Sequence, residues 1–132
     1  MSTSVVLSNS LYEQAFVALA TSEIGRQVNF YSKFLKTAPS PCTATYAEFR
    51  LSGLRLAIFT PQADSAQEFS APGSGAMSLC LEVDDLQGVI AHLTHLGYPP
   101  PGDILHSSHG QEIYAYDPDG NRLILHQSPS DT

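Results

Sequence analysis

The stretch Gln111–His126, QEIYAYDPDGNRLILH, reads as two strands joined by a tight turn. In Asp117-Pro118-Asp119-Gly120-Asn121 the proline presets its backbone angle and the glycine admits a left-handed conformation. The Asp side chains can accept hydrogen bonds from nearby backbone N–H groups. Both aspartates are therefore assigned to the turn and not to acid–base chemistry. Beyond it, Leu123 and Leu125 alternate with Arg122, Ile124 and His126. Period two puts the leucines on one face, against a core, and leaves the other three for the opposite face.

Working back along the chain, Asp103–His106 can form a short edge strand after the proline-rich connection Tyr98–Gly102. Leu86, Val89, Ile90, Leu93 and Leu96 recur at helical spacing behind a cap at Asp84-Asp85, and Gly97 is a natural stop. Met77–Val83 precedes them as a strand. The same order occurs earlier. Ala15–Ala20 (AFVALA) is strand-like, and Thr21 and Ser22 can cap a helix running to about Lys36. Ile24, Val28, Tyr31 and Leu35 share one face of it, widened by Phe30 and Phe34, before Pro39 and Pro41. Tyr46–Leu51 and Leu54–Phe59 flank Ser52-Gly53, a two-residue hairpin loop. Setting Glu23 against Asp85 superimposes the two patterns as an internal repeat of about 60 residues. The chain is expected to be one α+β domain of two modules, residues 12–61 and 76–127, joined by a linker over 62–75.

Apolar residues at 42% and charged residues at 14% are too apolar a mixture for disorder, so a packed core is expected. A net charge of -7 without any Lys/Arg run argues against nucleic acid as a partner. No apolar run approaches the roughly 20 residues of a membrane span, and Met1–Asn9 lacks the features of a signal peptide. No membrane partner and a cytoplasmic location are expected. Cys42 and Cys80 sit in no metal-binding motif and read as reduced packing residues. The ends, Met1–Ser10 and Ser128–Thr132, are expected to fray. No nucleophile with a paired base and no phosphate-binding glycine loop is recognisable.

A strand, a capped helix bearing Phe30-Tyr31 and Leu35, the helix start Val83-Asp84-Asp85-Leu86 and a late DPDGN turn, in this order, resemble the glyoxalase/bleomycin resistance/dioxygenase (vicinal oxygen chelate) superfamily. The resemblance spans nearly all of Ala15–Gln127, and the turn is its most specific element. It implies paired βαβββ modules whose sheets curl into a cup with helices outside and a small-molecule site inside. It also implies a homodimer, since cups in this family are often completed by a second subunit. Function stays open, because members include glyoxalase I, extradiol dioxygenases, fosfomycin-modifying transferases, epimerases and non-catalytic antibiotic-binding proteins. In the enzymes a divalent metal is held by His, Gln or Glu from the first strand of each module and from the last strand. Those positions fall on Phe16, Ser78 and Ile124. A phenyl ring, one hydroxyl and a sec-butyl group cannot converge several N or O donors on an ion, so neither a metal nor another cofactor is expected. A register shifted by two residues would keep strand face and bring in Gln14, Cys80 or His126.

Alternation also selects the cup-facing set. Phe16 and Ala18 oppose Val17 and Leu19; Ser78 and Cys80 oppose Leu79 and Leu81; Arg55, Ala57 and Phe59 oppose Leu54, Leu56 and Ile58; Tyr46, Glu48 and Arg50 match them on the partner strand. With Ser52-Gly53 as the loop, Arg50 lies across from Arg55. Such a pair needs screening by Glu48, by solvent or by an anionic ligand, and an Arg fork suits a carboxylate or phosphate. Two arginines simply solvated at the hairpin end are the plain alternative. Tyr114 stands where some fosfomycin-modifying relatives place a substrate-facing tyrosine, and a rim or core role is the alternative. His126 can be a base, a late metal ligand or a structural, hydrogen-bonded residue. His106 and His109 lack a third ligand nearby, and His92 and His95 are expected to face solvent.

The function these observations favour is metal-independent binding of a small molecule in a mostly apolar cup. Phe16, Ala18, Phe59, Tyr114 and Ile124 line it, with polar contacts from Arg50, Arg55 and His126. A metal-dependent lyase or dioxygenase recruiting His126, Glu48 or the HSSH segment, and an interaction module whose cup is filled by its own side chains, are the competing readings.

Overall fold

The computed structural model describes residues 11–70 and 75–130. The expectation for Met1–Ser10 lies outside the described residues, as do residues 71–74 of the linker. The elements run β1 (Phe16–Ala20), α1 (Ile24–Leu35), β2 (Tyr46–Leu51), β3 (Leu54–Phe59), a single 3-10 turn (Ala66–Phe69), β4 (Leu79–Glu82), α2 (Leu86–Leu96), β5 (Leu105–Ser107), β6 (Gly110–Tyr116) and β7 (Arg122–Gln127).

They form two sheets, in the orders β1-β3-β2 and β4-β7-β6-β5. In each module the first strand lies parallel to the last, β1 to β3 and β4 to β7, and the remaining pairs are antiparallel. That arrangement follows from the crossover helix, which lets two strands run the same way. The repeat is thus real in topology but unequal in strand number, since the first module has three described strands instead of four. The counterpart of β5 is the segment ahead of β2. It accepts and donates backbone hydrogen bonds along β2 (Ser40 N to Glu48 O 2.8 Å, Glu48 N to Pro41 O 3.1 Å), yet it forms only an isolated bridge at Cys42. Pro39 and Pro41 carry no N–H, which keeps this edge from extending into a strand.

Helix ends follow the residues that surround them. Asp85 accepts from the Gly88 N–H at 3.1 Å, and Gly97 ends α2 at φ 95°. At α1 the Thr21 hydroxyl instead accepts from the Glu23 N–H at 2.9 Å, and Lys36 ends the helix in a left-handed conformation before Pro39 is reached.

The core lies where α1 and α2 cover one face of the sheets. Phe30, Tyr31, Phe34, Leu86 and Leu93 from the helices and Phe49, Leu56, Ile58, Ile113, Leu123 and Leu125 from the strands form one buried cluster. His92 departs from the solvent-facing expectation. Its Nε2 lies 3.0 Å from the Lys33 carbonyl and its ring stacks on Phe34, so it caps the open carbonyls at the end of α1 and joins the two helices.

Candidate functional site

The DPDGN turn anchors one module to the other. The buried Asp117 carboxylate accepts from the N–H groups of Asp119 and Asn121 (both 2.9 Å) and from Asn121 Nδ2 at 2.8 Å. It also accepts from Gln27 Nε2 at 3.0 Å and from the Tyr31 hydroxyl at 2.7 Å, both on α1. Burial, and then the neighbouring Asp117 charge, push the Tyr31 hydroxyl above its ordinary range, so it remains a donor. Asp119 pairs with Arg26 at 2.7 Å. These contacts place both aspartates in the framework, as expected from the sequence.

The first sheet turns Phe16, Arg55 and Glu48 to the face away from the helices. Arg50 stands directly opposite Arg55 in the register. Glu48 Oε2 lies 3.1 Å from Arg55 and 3.2 Å from Arg50, while Tyr46 donates to Oε1 at 2.9 Å. The Arg55 guanidinium also lies 4.7 Å over the Phe16 ring. The Tyr46 hydrogen bond and then the Arg55 charge hold Glu48 below its ordinary value of 4.5, against the upward pull of burial. Glu48 is therefore the counter-charge between the arginines. One carboxylate serves two guanidinium groups, which leaves the exposed Arg50 available to a further anion. Both arginines line a cleft of about 320 Å³ with Gln14, Leu51 and Leu54.

The second sheet presents Ser78, Cys80, Tyr114, Ile124 and His126 away from its buried Leu123 and Leu125. The register sets Cys80 and Tyr114 on either side of Ile124. Arg122 Nε donates to the Ser78 hydroxyl at 2.7 Å and its NH2 to the Gly75 carbonyl at 2.8 Å. His126 Nδ1 lies 2.7 Å from Glu82 Oε1, and the other Glu82 oxygen accepts from Ser128 N and Oγ at 2.8 and 2.7 Å. The hydrogen bond to Glu82 raises His126 above its ordinary 6.5, burial opposing it. Neither Glu82 nor Ser128 was singled out from the sequence. Their proximity to His126 depends on the parallel register of β4 with β7, which no local pattern discloses.

A family model for the glyoxalase/bleomycin resistance protein/dioxygenase superfamily matches residues 14–125. The chain belongs to this superfamily. No curated protein matches it. Among solved structures of similar fold are a glyoxalase-related enzyme from Fulvimarina pelagi (21% identity, 89% of this chain and 90% of that one, TM-score 0.69) and a glyoxalase/bleomycin resistance protein from Catenulispora acidiphila (21%, 89% and 100%, 0.65). A genomically encoded fosfomycin resistance protein from Listeria monocytogenes, complexed with Mn(II) and sulfate, is similar at 15% identity over 91% of this chain and 93% of that one, with TM-score 0.71.

None of the side chains at the three positions that the resemblance marks for metal ligands offers a carboxylate or an imidazole. Phe16 lies beneath Arg55, Ser78 receives a guanidinium N–H, and Ile124 offers only carbon. Two of the three positions therefore already have a positive charge against them, which opposes a second cation. Among the described residues no three His, Cys, Asp or Glu side chains converge as a ligand set, and this covers the HSSH segment. Of the ligand-binding candidates, Phe16, Arg50 and Arg55 gather on the first sheet, and Tyr114, Ile124 and His126 on the second. Phe59 ends the strand that carries Arg55, and its ring meets Phe69 edge-on at 5.3 Å. The face is open, with Phe16 49% and Tyr114 39% exposed.

Proposed function

We propose that this glyoxalase-superfamily protein binds a small molecule without a metal ion, on the face built from Phe16, Arg50, Arg55, Tyr114, Ile124 and His126. The replacement of donor side chains at Phe16, Ser78 and Ile124, with arginines set against the first two, carries this reading. The ligand is anionic and partly apolar. Arg50 and Arg55 outnumber Glu48, and the aromatic walls supply the apolar contact.

The binding unit is a homodimer. Phe16, Leu105, Tyr114 and Tyr116 form apolar surface that one chain leaves open, and a second copy would turn these open faces into a closed cup. The cytoplasm is the proposed compartment. Cys42 and Cys80, expected as packing residues, are instead exposed, and both are free, a state that a reducing environment maintains; no helix among the described residues is long and apolar enough to cross a membrane.

A thermal-shift screen of bulky aromatic carboxylates and aryl phosphate esters tests the binding. A true ligand at 100 times its dissociation constant adds about 2.7 kcal/mol of stability. Replacing Arg50 and Arg55 with Gln should abolish that response. A library without any response, or a response that survives the double replacement, rejects the proposed face.

A further inference from the structure

A second cleft, of about 230 Å³, opens on the helical side of the molecule, between the outer face of α1 and the end of α2. Its α1 wall carries Arg26, Asn29 and Lys33, spaced by three and four residues and therefore on one face of the helix. His95 in the last turn of α2 stands on the other wall, and the rings of Phe30 and Tyr98, 5.0 Å apart edge to face, supply an apolar floor.

Charge makes this place unusual. The chain has only six Lys and Arg against thirteen Asp and Glu, yet no carboxylate lines this cleft. The sheet arginines each already contact a protein acceptor, Arg50 and Arg55 sharing Glu48 and Arg122 meeting Ser78 and the Gly75 carbonyl. Arg26 contacts Asp119 through one nitrogen while its side chain is half exposed, so part of its fork is open to a further acceptor. The Lys33 ammonium, the Asn29 amide and the His95 ring have no side-chain hydrogen bond or ion pair among the described residues. A concave site with hydrogen-bond donors on two walls and no acid suits an oxyanion, which can accept from several donors at once.

We propose that this cleft is a second, small-oxyanion site for a phosphate or carboxylate group, separate from the sheet face. Lys33 supplies the charge, Asn29 and Arg26 supply directed N–H groups, and His95 closes the opposite wall. The volume admits an inorganic ion or a small acid and not a drug-sized ligand.

Amide chemical shifts of the intact protein, titrated in parallel with inorganic phosphate and with succinate at ionic strength held constant by sodium chloride, test the site. Saturable shifts in Asn29, Lys33, His95 and Leu96 are expected with at least one of the two, and the tighter binder identifies the class. Lys33→Gln should weaken that binding by about tenfold, the scale of one lost charge-assisted hydrogen bond. His95→Leu should weaken it less, and Arg50→Gln should leave it unchanged. Shifts that fail to saturate with both anions, that centre on Arg50 and Arg55, or that saturate at the same concentration in Lys33→Gln overturn the proposal.

Discussion

Asp117 gathers five donors from two stretches of the chain, and only a carboxylate has enough lone pairs in the right places to accept them all. Asp117→Ala should leave buried N–H and O–H groups unpaired and cost roughly 3 kcal/mol or more in chemical denaturation. The His126–Glu82 pair predicts a different signature. His126 is raised above 6.5, so its contribution is complete below about pH 6.5 and is lost as pH climbs through the folded value. Glu82 is lowered from 4.5, chiefly by the Ser128 hydroxyl, so its contribution is present above about pH 4.5 and is lost in acid. The melting-temperature difference between the native protein and His126→Gln should therefore be larger at pH 5.5 than at pH 9. An equal difference at both would dissociate His126 from Glu82.

Element-scale features divide into those that periodicity dictates and those that arise from pairing. The alternation in β7, the hairpin register that sets Arg50 across from Arg55, the Asp85 cap and the Gly97 stop are local patterns, and each stands in the structure as the sequence indicates. The shortened edge of the first module, the 3-10 turn inside the linker, and His92 on the end of α1 were not legible. They depend on which segments meet, and chain-distant contacts leave no periodic trace. The same holds for the site. Strand faces could be assigned from period two, but Arg122 against Ser78 and Glu82 against His126 require the β4–β7 register. One pairing constraint is testable directly. Gly110 opens β6 at φ 122°, and a Cβ there would collide with the Gln127 carbonyl on β7. Gly110→Ala should cost roughly 1–3 kcal/mol by thermal or urea unfolding, combining left-handed strain with a displaced strand end.

At the scale of the whole molecule, two modules share a helix-side core and leave the outer faces of both sheets uncovered. The proposed dimer predicts a light-scattering mass of two 14.2 kDa chains, and replacing the exposed Leu105 and Tyr116 with Lys and Gln should shift it toward one. In the proposed reading, the identity of three side chains and the positive charge placed against two of them set this superfamily member apart from metal-dependent chemistry. Elemental analysis of the purified protein after incubation with Zn, Ni, Mn and Fe, followed by desalting, puts that to the most direct test. The account predicts less than a tenth of an ion per chain, about what adventitious binding leaves, and a melting temperature indifferent to a chelator. One tightly held ion per chain, with the melting temperature falling on chelation, would contradict it.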